Sequence, residues 1–260
     1  MCLILFAYRV RADAPLIVAA NRDEFYARPA ALAQRWSDAP HVFAGRDLTA
    51  GGTWLGVSTT GRFAAVTNFS ETPEGPLPPG TRGDLTANFL RGDAPARAYA
   101  DAIDADHYRG FSLLLWDGVD LVYTSNRNSR PRVLAPGVHG LSNTHLDGTM
   151  WPKVTNGTRA LQNVIRADYS ANDLVRVLGD ETVPNDDDLP HRGKDLEFER
   201  RVAPIFIRGD EYGTRASSAV TIGSSQISFT EQTFGPHGVP AERVDQVLSL
   251  TNRARAARRT

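Results

Sequence analysis

The chain has 260 residues, a formal net charge of −1 and one cysteine. This length allows one large domain with a sizeable core, and the lone cysteine excludes an intramolecular disulfide or a site of several thiolates. The near-neutral charge gives no reason to expect a nucleic acid partner. The apolar start, CLILFAY, is too short for a signal-peptide core or a membrane span. We therefore expect a soluble cytoplasmic protein without a transmembrane segment, and its oligomeric state stays open.

In chain order, the sequence predicts strands first, then helices, then strands again. The strands predicted in the first third are Cys2–Arg9, Leu16–Asn21, His41–Gly45, Thr53–Ser58 and Arg62–Thr67. The last two of these form a hairpin around a glycine-containing turn. Segment 71–83 is rich in Pro and Gly and is predicted to be a loop, which we interpret as a possible flap.

Helices are predicted at Asp84–Leu90 and Ala94–Ile103, the latter capped by Asp93, and as a pair within Trp151–Val177 whose second member is capped by Ser170. The remaining predicted strands are Phe111–Asp117, Leu121–Ser125, Arg132–Leu134, one directly before Asn143, Arg215–Ile222 and Gln226–Phe234. This order predicts an α+β protein with one or two antiparallel sheets covered by helices. We expect a single domain over residues 1–260, with a basic, solvated or frayed tail at 251–260.

The position of the cysteine, directly after the initiator methionine, suggests that it is a reactive residue. Methionine is generally removed when the next side chain is small, and the chain would then start with Cys2. The thiol and a free α-amine, whose pKa is about 7.7–8.0, would share one residue. Such an amine can act as the general base for the thiol. The alternatives are a small apolar core residue and lipidation, for which no polybasic second anchor is present.

Four polar residues, Asn21, Arg22, Asp23 and Glu24, follow the second apolar strand. In a hairpin the end of the second strand lies beside the start of the first, so these side chains are predicted to lie near Cys2. A cation there lowers the thiol pKa, and a carboxylate can hold the α-ammonium group. Strand alternation separates Arg22 and Glu24 from Asn21 and Asp23 unless the strand breaks, so the pair that faces Cys2 stays open. A charged turn after an edge strand is the alternative.

Two further apolar strands end in an amide, at Asn68 and Asn143. Side-chain amides can donate hydrogen bonds to a developing oxyanion, although Asn is also common in turns. Arg215 precedes an apolar strand and is a candidate to pair with a carboxylate or to hold an acid group of a substrate. The candidate ligand-binding residues are Asn21, Trp54, His145 and Trp151. Core packing is the alternative role for Trp54, Trp116 and Trp151.

Five stretches together carry a family resemblance: MCLILFAY, AANRDEFYARP, GGTWLGVSTTGRFAAVTNF, LSNTHLDGTMWPKV and EYGTRASSAVTI. From Cys2 to about Thr230 the chain resembles the NRDE family, also called the transport and Golgi organisation protein 2 family. That family is similar to the cysteine N-terminal-nucleophile (Ntn) hydrolases, such as bile-salt hydrolases, penicillin V acylases and isopenicillin N acyltransferase. The resemblance implies a four-layer αββα sandwich.

The resemblance also implies hydrolysis or transfer of a small acyl group from an amide or thioester, with no cofactor and no metal. By position it assigns the catalytic roles to Cys2, Arg22 with Asp23 or Glu24, Asn68, Asn143 and Arg215. The hydrolases space their early arginine and aspartate more widely than the adjacent pair found here. The orientation of these two charges is therefore left open.

The same resemblance implies an alternative function as a haem-binding carrier without catalysis, because eukaryotic members are linked to haem mobilisation and to lipid or acyl-CoA metabolism. Haem carriage needs an apolar slot and commonly an axial ligand. The candidate ligands are His41, His107, His139, His145, Met150 and Cys2. A scaffold or partner-binding role is a third possibility.

Overall fold

The computed structural model describes residues 2–71, 75–127, 129–190 and 194–251. This part of the chain forms two antiparallel β-sheets and five α-helices. The strands are β1 (Leu3–Tyr8), β2 (Leu16–Phe25), β3 (Ala30–Trp36), β4 (Ala39–Asp47), β5 (Leu55–Ser58), β6 (Phe63–Asn68), β7 (Phe111–Trp116), β8 (Leu121–Ser125), β9 (Ser129–Val133), β10 (Gly137–Leu141), β11 (Tyr212–Ile222), β12 (Gln226–Phe234) and β13 (Pro240–Ser249). The helices are α1 (Arg82–Arg91), α2 (Ala96–Asp101), α3 (Pro152–Val164), α4 (Ala171–Val177) and α5 (Leu196–Val202).

The chain divides into two compact units. The first unit takes the chain up to Arg28, Pro136–Thr221 and Ser228–Gln246, and the second takes Pro29–Ala135, Ile222–Ile227 and the chain from Val247 onward.

The sheet that carries the first unit has the strand order β10-β1-β2-β11-β12-β13. Its β1 strand, LILFAY, is buried along its whole length, as expected for a central strand with a continuous apolar sequence. Leu3 and Leu5 belong to a core cluster that includes residues of α3 and α4. Leu3 pairs with Asn21 of β2, and Ile4 pairs with Leu141 of β10. The residue just before β1 therefore lies between the ends of two neighbouring strands.

The second sheet is a meander in which β3 to β9 follow one another in sequence order. Helices α1 and α2 supply residues to its core, for example Phe89 and Ala100. The predicted hairpin is confirmed, since β5 and β6 pair from Leu55 with Ala65 to Val57 with Phe63. Its turn contains a glycine at a φ of 88°, a value that L-residues with side chains rarely adopt.

Several boundaries differ from prediction. Strand β2 runs to Phe25, four residues past its predicted end at Asn21. Helix α2 begins after Pro95, not at an Asp93 cap, because the backbone N–H of Ala96 donates to a carboxylate oxygen of Asp117 at 2.7 Å. Two predicted segments lie partly outside the described residues, at 72–74 of the 71–83 loop and 252–260 of the basic tail.

Strands β3 and β13 and helix α5 were not predicted from the sequence. Both strands lie at sheet edges, and most side chains of β13 are exposed. Edge strands that expose their side chains lack the apolar run that marks a buried strand. Within the described residues, no helix combines the length and apolar character needed to cross a membrane.

Gly52 offers a test of packing in the second unit. A Cβ atom at this position would lie 2.5 Å from the carbonyl carbon of Gly83 at the start of α1. Because the obstructing atoms belong to the backbone, we expect Gly52→Ala to lower the free energy of unfolding by about 1–3 kcal/mol, measured by urea denaturation. Gly235→Ala is the matched control, since its Cβ would meet only an ordinary contact at 3.9 Å. Equal stability of the two variants would contradict this packing.

Candidate active site

The register of three strands places Cys2 at the centre of the predicted site. Continuing the Leu3–Asn21 pairing by one residue sets Cys2 opposite Arg22, and continuing the Ile4–Leu141 pairing by two sets it opposite Asn143. Directly opposed residues of antiparallel strands project to the same face. The register therefore brings Arg22 of β2 and Asn143, two residues beyond the end of β10, to positions beside Cys2.

The polar tetrad remains within β2, so its side chains alternate. Arg22 and Glu24 share one face, and their side chains approach to 4.0 Å with 12% and 25% exposure. Such a partly screened ion pair contributes little to stability. Arg22 lies opposite Cys2 in register, and its positive charge lowers the pKa of the thiol.

Asp23 projects to the other face and is buried, with 4% exposure. The hydroxyl of Thr214 on β11 donates to its carboxylate at 2.7 Å. Its backbone carbonyl accepts from the Tyr212 hydroxyl at 3.4 Å and from the Cys2 thiol at 3.9 Å. Burial raises the pKa of Asp23 above its usual value, and the charge of Lys153 and the Thr214 hydrogen bond offset only part of that increase. The carboxyl is thus held close to the thiol-bearing strand end by β11.

Cys2 forms no disulfide and is half-buried. Removal from water raises the pKa of Cys2, and the nearby Asp23 charge raises the pKa further. The Asp23 carbonyl and Arg22 act in the opposite direction. Burial therefore has the largest effect on the pKa of the Cys2 thiol, and the Arg22 charge offsets part of it.

The loop after β10 fixes the backbone of Cys2. The Ser142 hydroxyl donates to the Cys2 carbonyl at 2.9 Å, and Asn143 follows with its side chain almost fully buried. The side-chain amide of Asn143 is a hydrogen-bond donor of the kind that can stabilise an oxyanion.

Asn21 was predicted to bind a ligand, but in the structure its side chain is buried and bonds to other parts of the first unit. It is fully buried, and its amide nitrogen donates to the carbonyls of Leu178 and Ile205, both at 2.9 Å. Its oxygen accepts from the Ser217 hydroxyl at 2.6 Å. Both donor hydrogens of the amide are therefore used inside the unit, which ties β2 to the end of α4 and to the segment after α5.

Arg215 also bonds to backbone. Its guanidinium donates to the carbonyl of Phe25 at 3.3 Å and to that of Arg28. These bonds hold the turn that follows the tetrad.

The other predicted site residues have varied environments. Trp151 is buried at the start of α3, and His145 is exposed on the loop after β10. In the second unit, Asn68 is exposed at the end of β6, Trp54 is half-buried before β5, and Trp116 is buried in β7.

The candidate haem ligands are scattered along the chain. His139 bonds to Asp147 at 2.8 Å and stacks on Phe6. His107 and Met150 are exposed, and His41 is half-buried. In the described part of the chain, no group of three or more His, Cys, Asp or Glu side chains is arranged to hold a metal ion.

Among the residues that contact or influence this site, sequence reasoning missed Ser142, Lys153 and Thr214. Two are hydroxyl residues, which nothing in the sequence distinguishes from other Ser and Thr. Lys153 had a signal, because the chain contains lysine only there and at position 194. It is 2% exposed, although lysine is almost never buried without a compensating partner.

Comparison with known proteins identifies the family. Residues 1–236 match the model of the family described as Transport and Golgi organisation 2. The chain belongs to this family. A Bos taurus homologue of transport and Golgi organization protein 2 is 35% identical over 261 residues, covering 90% of this chain and 93% of the relative. The Homo sapiens homologue is 33% identical with the same coverage of both chains.

Solved structures show which fold the family member adopts. A Caenorhabditis elegans N-acylethanolamine-hydrolyzing acid amidase orthologue is similar with a TM-score of 0.55 and 11% identity, over 85% of this chain and 93% of that one. Penicillin V acylase from Agrobacterium tumefaciens has a TM-score of 0.50 and 11% identity, over 88% and 82%. A mutant conjugated bile acid hydrolase from Clostridium perfringens has a TM-score of 0.53 and 9% identity, over 97% and 98%. The predicted α+β, Ntn-hydrolase-like fold with two antiparallel sheets is confirmed.

The buried environment of Asn21 predicts a large effect on stability. Asn21→Leu keeps a similar volume but leaves two carbonyls and a hydroxyl without their partner. We expect the free energy of unfolding to fall by about 2–4 kcal/mol, measured by chemical denaturation. Asn163→Leu, at an exposed position of α3, is the control and should change stability little. A similar small change in both variants would argue against the structural role.

The charge of Arg22 predicts a shift in thiol reactivity. Arg22→Gln removes a charge that lowers the Cys2 pKa, so the pH midpoint of alkylation by iodoacetamide should rise by about 0.5–1 unit. Arg22→Lys should keep the midpoint near that of the wild type, and Arg9→Gln, at an exposed position, should not move it. A midpoint unchanged in Arg22→Gln would show that Arg22 does not act on the thiol.

Proposed function

We propose that this protein is a cysteine Ntn-type hydrolase or acyltransferase that acts on a small acyl amide or acyl thioester. Cys2 is the nucleophile after removal of Met1. The observation that supports the proposal is the position of Cys2 directly before the central strand β1, opposite Arg22 and Asn143 in register and in contact with the backbone of the buried Asp23.

In the first step, the α-amine of Cys2 accepts the proton of its own thiol. Asp23 is the group that would hold the resulting ammonium, and Arg22 favours the thiolate. The thiolate then attacks the acyl carbonyl carbon, and the electron pair of the C=O bond moves to oxygen. Asn143 is the proposed donor to that oxyanion.

The tetrahedral intermediate collapses when the bond to the leaving group breaks. The ammonium of Cys2 returns its proton to the leaving amine, or to the leaving thiolate of a thioester, and an acyl thioester remains on Cys2. Water, deprotonated by the same amine, attacks this thioester and releases the carboxylic acid. An amine acceptor in place of water would make the reaction an acyl transfer.

The residues predicted to bind a ligand include both accessible and buried ones. Trp54 and His145 are accessible to a ligand in their respective units, whereas Trp151 is buried and would act through packing. Arg215 would shape the turn after the tetrad through its bonds to backbone carbonyls. A cytoplasmic location remains part of the proposal.

The haem-carrier alternative remains a prediction from the family resemblance. A saturable shift of the Soret band on titration with haem, lost on substitution of one candidate ligand, would support it. A response that never saturates would count against it.

The decisive test combines intact mass with turnover. We expect the purified mature chain to begin at Cys2. It should release acyl groups from at least one member of a panel that contains an N-acylethanolamine, penicillin V, a conjugated bile acid and acyl-CoA thioesters. Cys2→Ala should lower the rate by on the order of 10³-fold or more, because it keeps the amine but removes the nucleophile.

Cys2→Ser is the matched chemical control, since it retains an amine and a weaker nucleophile on the same residue. Asn163→Ala, on the exposed part of α3, should keep the wild-type rate. Equal rates for wild type and Cys2→Ala, or a native chain that retains Met1, would overturn the proposal.

A further inference from the structure

Lys153 lies in the first turn of α3 and has its ammonium group inside the first unit. It is 2% exposed, and its Nζ donates to the carbonyls of Val202 at 3.0 Å and Pro204 at 3.4 Å. A lysine near a surface usually extends its charge into water. Burial of an ammonium group carries a large desolvation cost unless charged or polar partners offset it. Two carbonyls offset part of that cost, and a carboxylate would offset more.

Helix α3 brings this lysine towards the start of β1. Gly157 packs directly on β1, because a Cβ atom there would lie 2.8 Å from a methyl carbon of Leu5. Lys153 precedes Gly157 by four residues and therefore occupies the same helix face, one turn earlier. The lysine thus faces the sheet and not solvent.

A single segment, residues 202–207, connects Lys153 to the tetrad. Its first carbonyls accept from Lys153, and the carbonyl of Ile205 accepts from Asn21. The N–H of Ile207 donates to the Thr214 hydroxyl at 2.9 Å, and that hydroxyl donates to Asp23. The segment therefore fixes Lys153 in relation to the helix-side residues of β2.

The groups that act on the Asp23 carboxyl come from several elements. Lys153 comes from α3 and the Thr214 hydroxyl from β11. The Cys2 thiol before β1 and the Tyr26 phenol after β2 also interact with the Asp23 charge. Burial is the largest influence and raises the pKa of Asp23, and the positive charge of Lys153 offsets part of that increase.

We infer that Lys153 is a positioning residue that keeps Asp23 in its carboxylate form beside Cys2. In that form Asp23 can hold the α-ammonium produced when Cys2 loses its thiol proton, an assignment that rests on the proposed function. Lys153 does not touch the substrate in this scheme. It acts through Asp23.

The test reads the charge of Asp23 without any need for turnover. Protein labelled with ¹³C at aspartate carboxyl carbons is titrated by NMR, and the Asp23 signal is the one missing in Asp23→Asn. In the wild type we expect Asp23 to be ionised at pH 7. In Lys153→Gln its titration midpoint should rise by about one pH unit or more, whereas Lys153→Arg should stay within a few tenths of a unit.

The matched control is Arg159→Gln, which removes one positive charge from an exposed position of the same helix and should leave the midpoint unchanged. A protonated Asp23 at pH 7 in the wild type would overturn the inference, and this measurement is decisive even if Lys153→Gln fails to fold. An unchanged midpoint in folded Lys153→Gln would overturn it as well.

Kinetics provide a second readout that separates this inference from the proposed function. With an active substrate, the acid limb of the plot of kcat/KM against pH should shift to higher pH in Lys153→Gln. In Lys153→Arg the limb should return to its wild-type position. A purely structural role would lower the rate at every pH without moving the limb. If no substrate is turned over but the NMR midpoint moves, the inference about Asp23 holds while the hydrolase proposal fails.

Discussion

The continuous pairing of β1 with β2 is the constraint on which the site depends. The register that joins Leu3 to Asn21 belongs to a β2 strand that runs on to Phe25. Because the strand does not break, alternate side chains of the tetrad go to opposite faces of the sheet. A shift of one residue would exchange Arg22 with Asp23 and reverse the charge that faces Cys2. The register therefore determines which of these two charged side chains faces the thiol.

The side chains on the two faces of β2 therefore have different roles. On the helix side, Asn21 satisfies two carbonyls and accepts one hydroxyl, so a polar residue in the interior strengthens the attachment of β2. Asp23 follows on the same side, where burial opposes its ionisation and Lys153 favours it. A buried carboxylate is costly to stability unless it has partners. The Thr214 hydroxyl donates to this carboxylate, and Lys153 contributes a positive charge that favours its ionised form.

The sequence predicted the strands whose side chains are buried, because their apolar runs are unambiguous. The hairpin also predicted that the tetrad lies near Cys2, since the end of the second strand must lie beside the start of the first. The assignment of Asn143 to the same site came only from the family resemblance. The sequence did not predict that β2 continues past Asn21 to Phe25, because polar residues have low β-propensity and the strand is sustained by its neighbours. Just beyond Phe25, the N–H of Tyr26 still donates to the carbonyl of Glu211 at 2.8 Å.

The exposed edge strands and Lys153 escaped prediction for a related reason. Strand β13 exposes most of its residues, so its place in a sheet depends on β12 and not on its own pattern. Lysine at the start of a helix normally points to solvent. Its burial results from the close packing of α3 on β1 at Gly157, and a contact between distant segments of the chain leaves no local signature.

The proposed nucleophile, Cys2, lies directly before the first strand, and residues near a chain terminus tend to fray. Here the first strand is central in its sheet, with β10 on one side and β2 on the other. The Cys2 carbonyl accepts from Ser142 of the one neighbour, and its thiol approaches the Asp23 carbonyl of the other. The cost of ordering this residue is therefore offset by the pairing of β1 as a whole, and not by contacts of Cys2 alone. A terminus anchored in this way can have the fixed geometry that a reactive group requires.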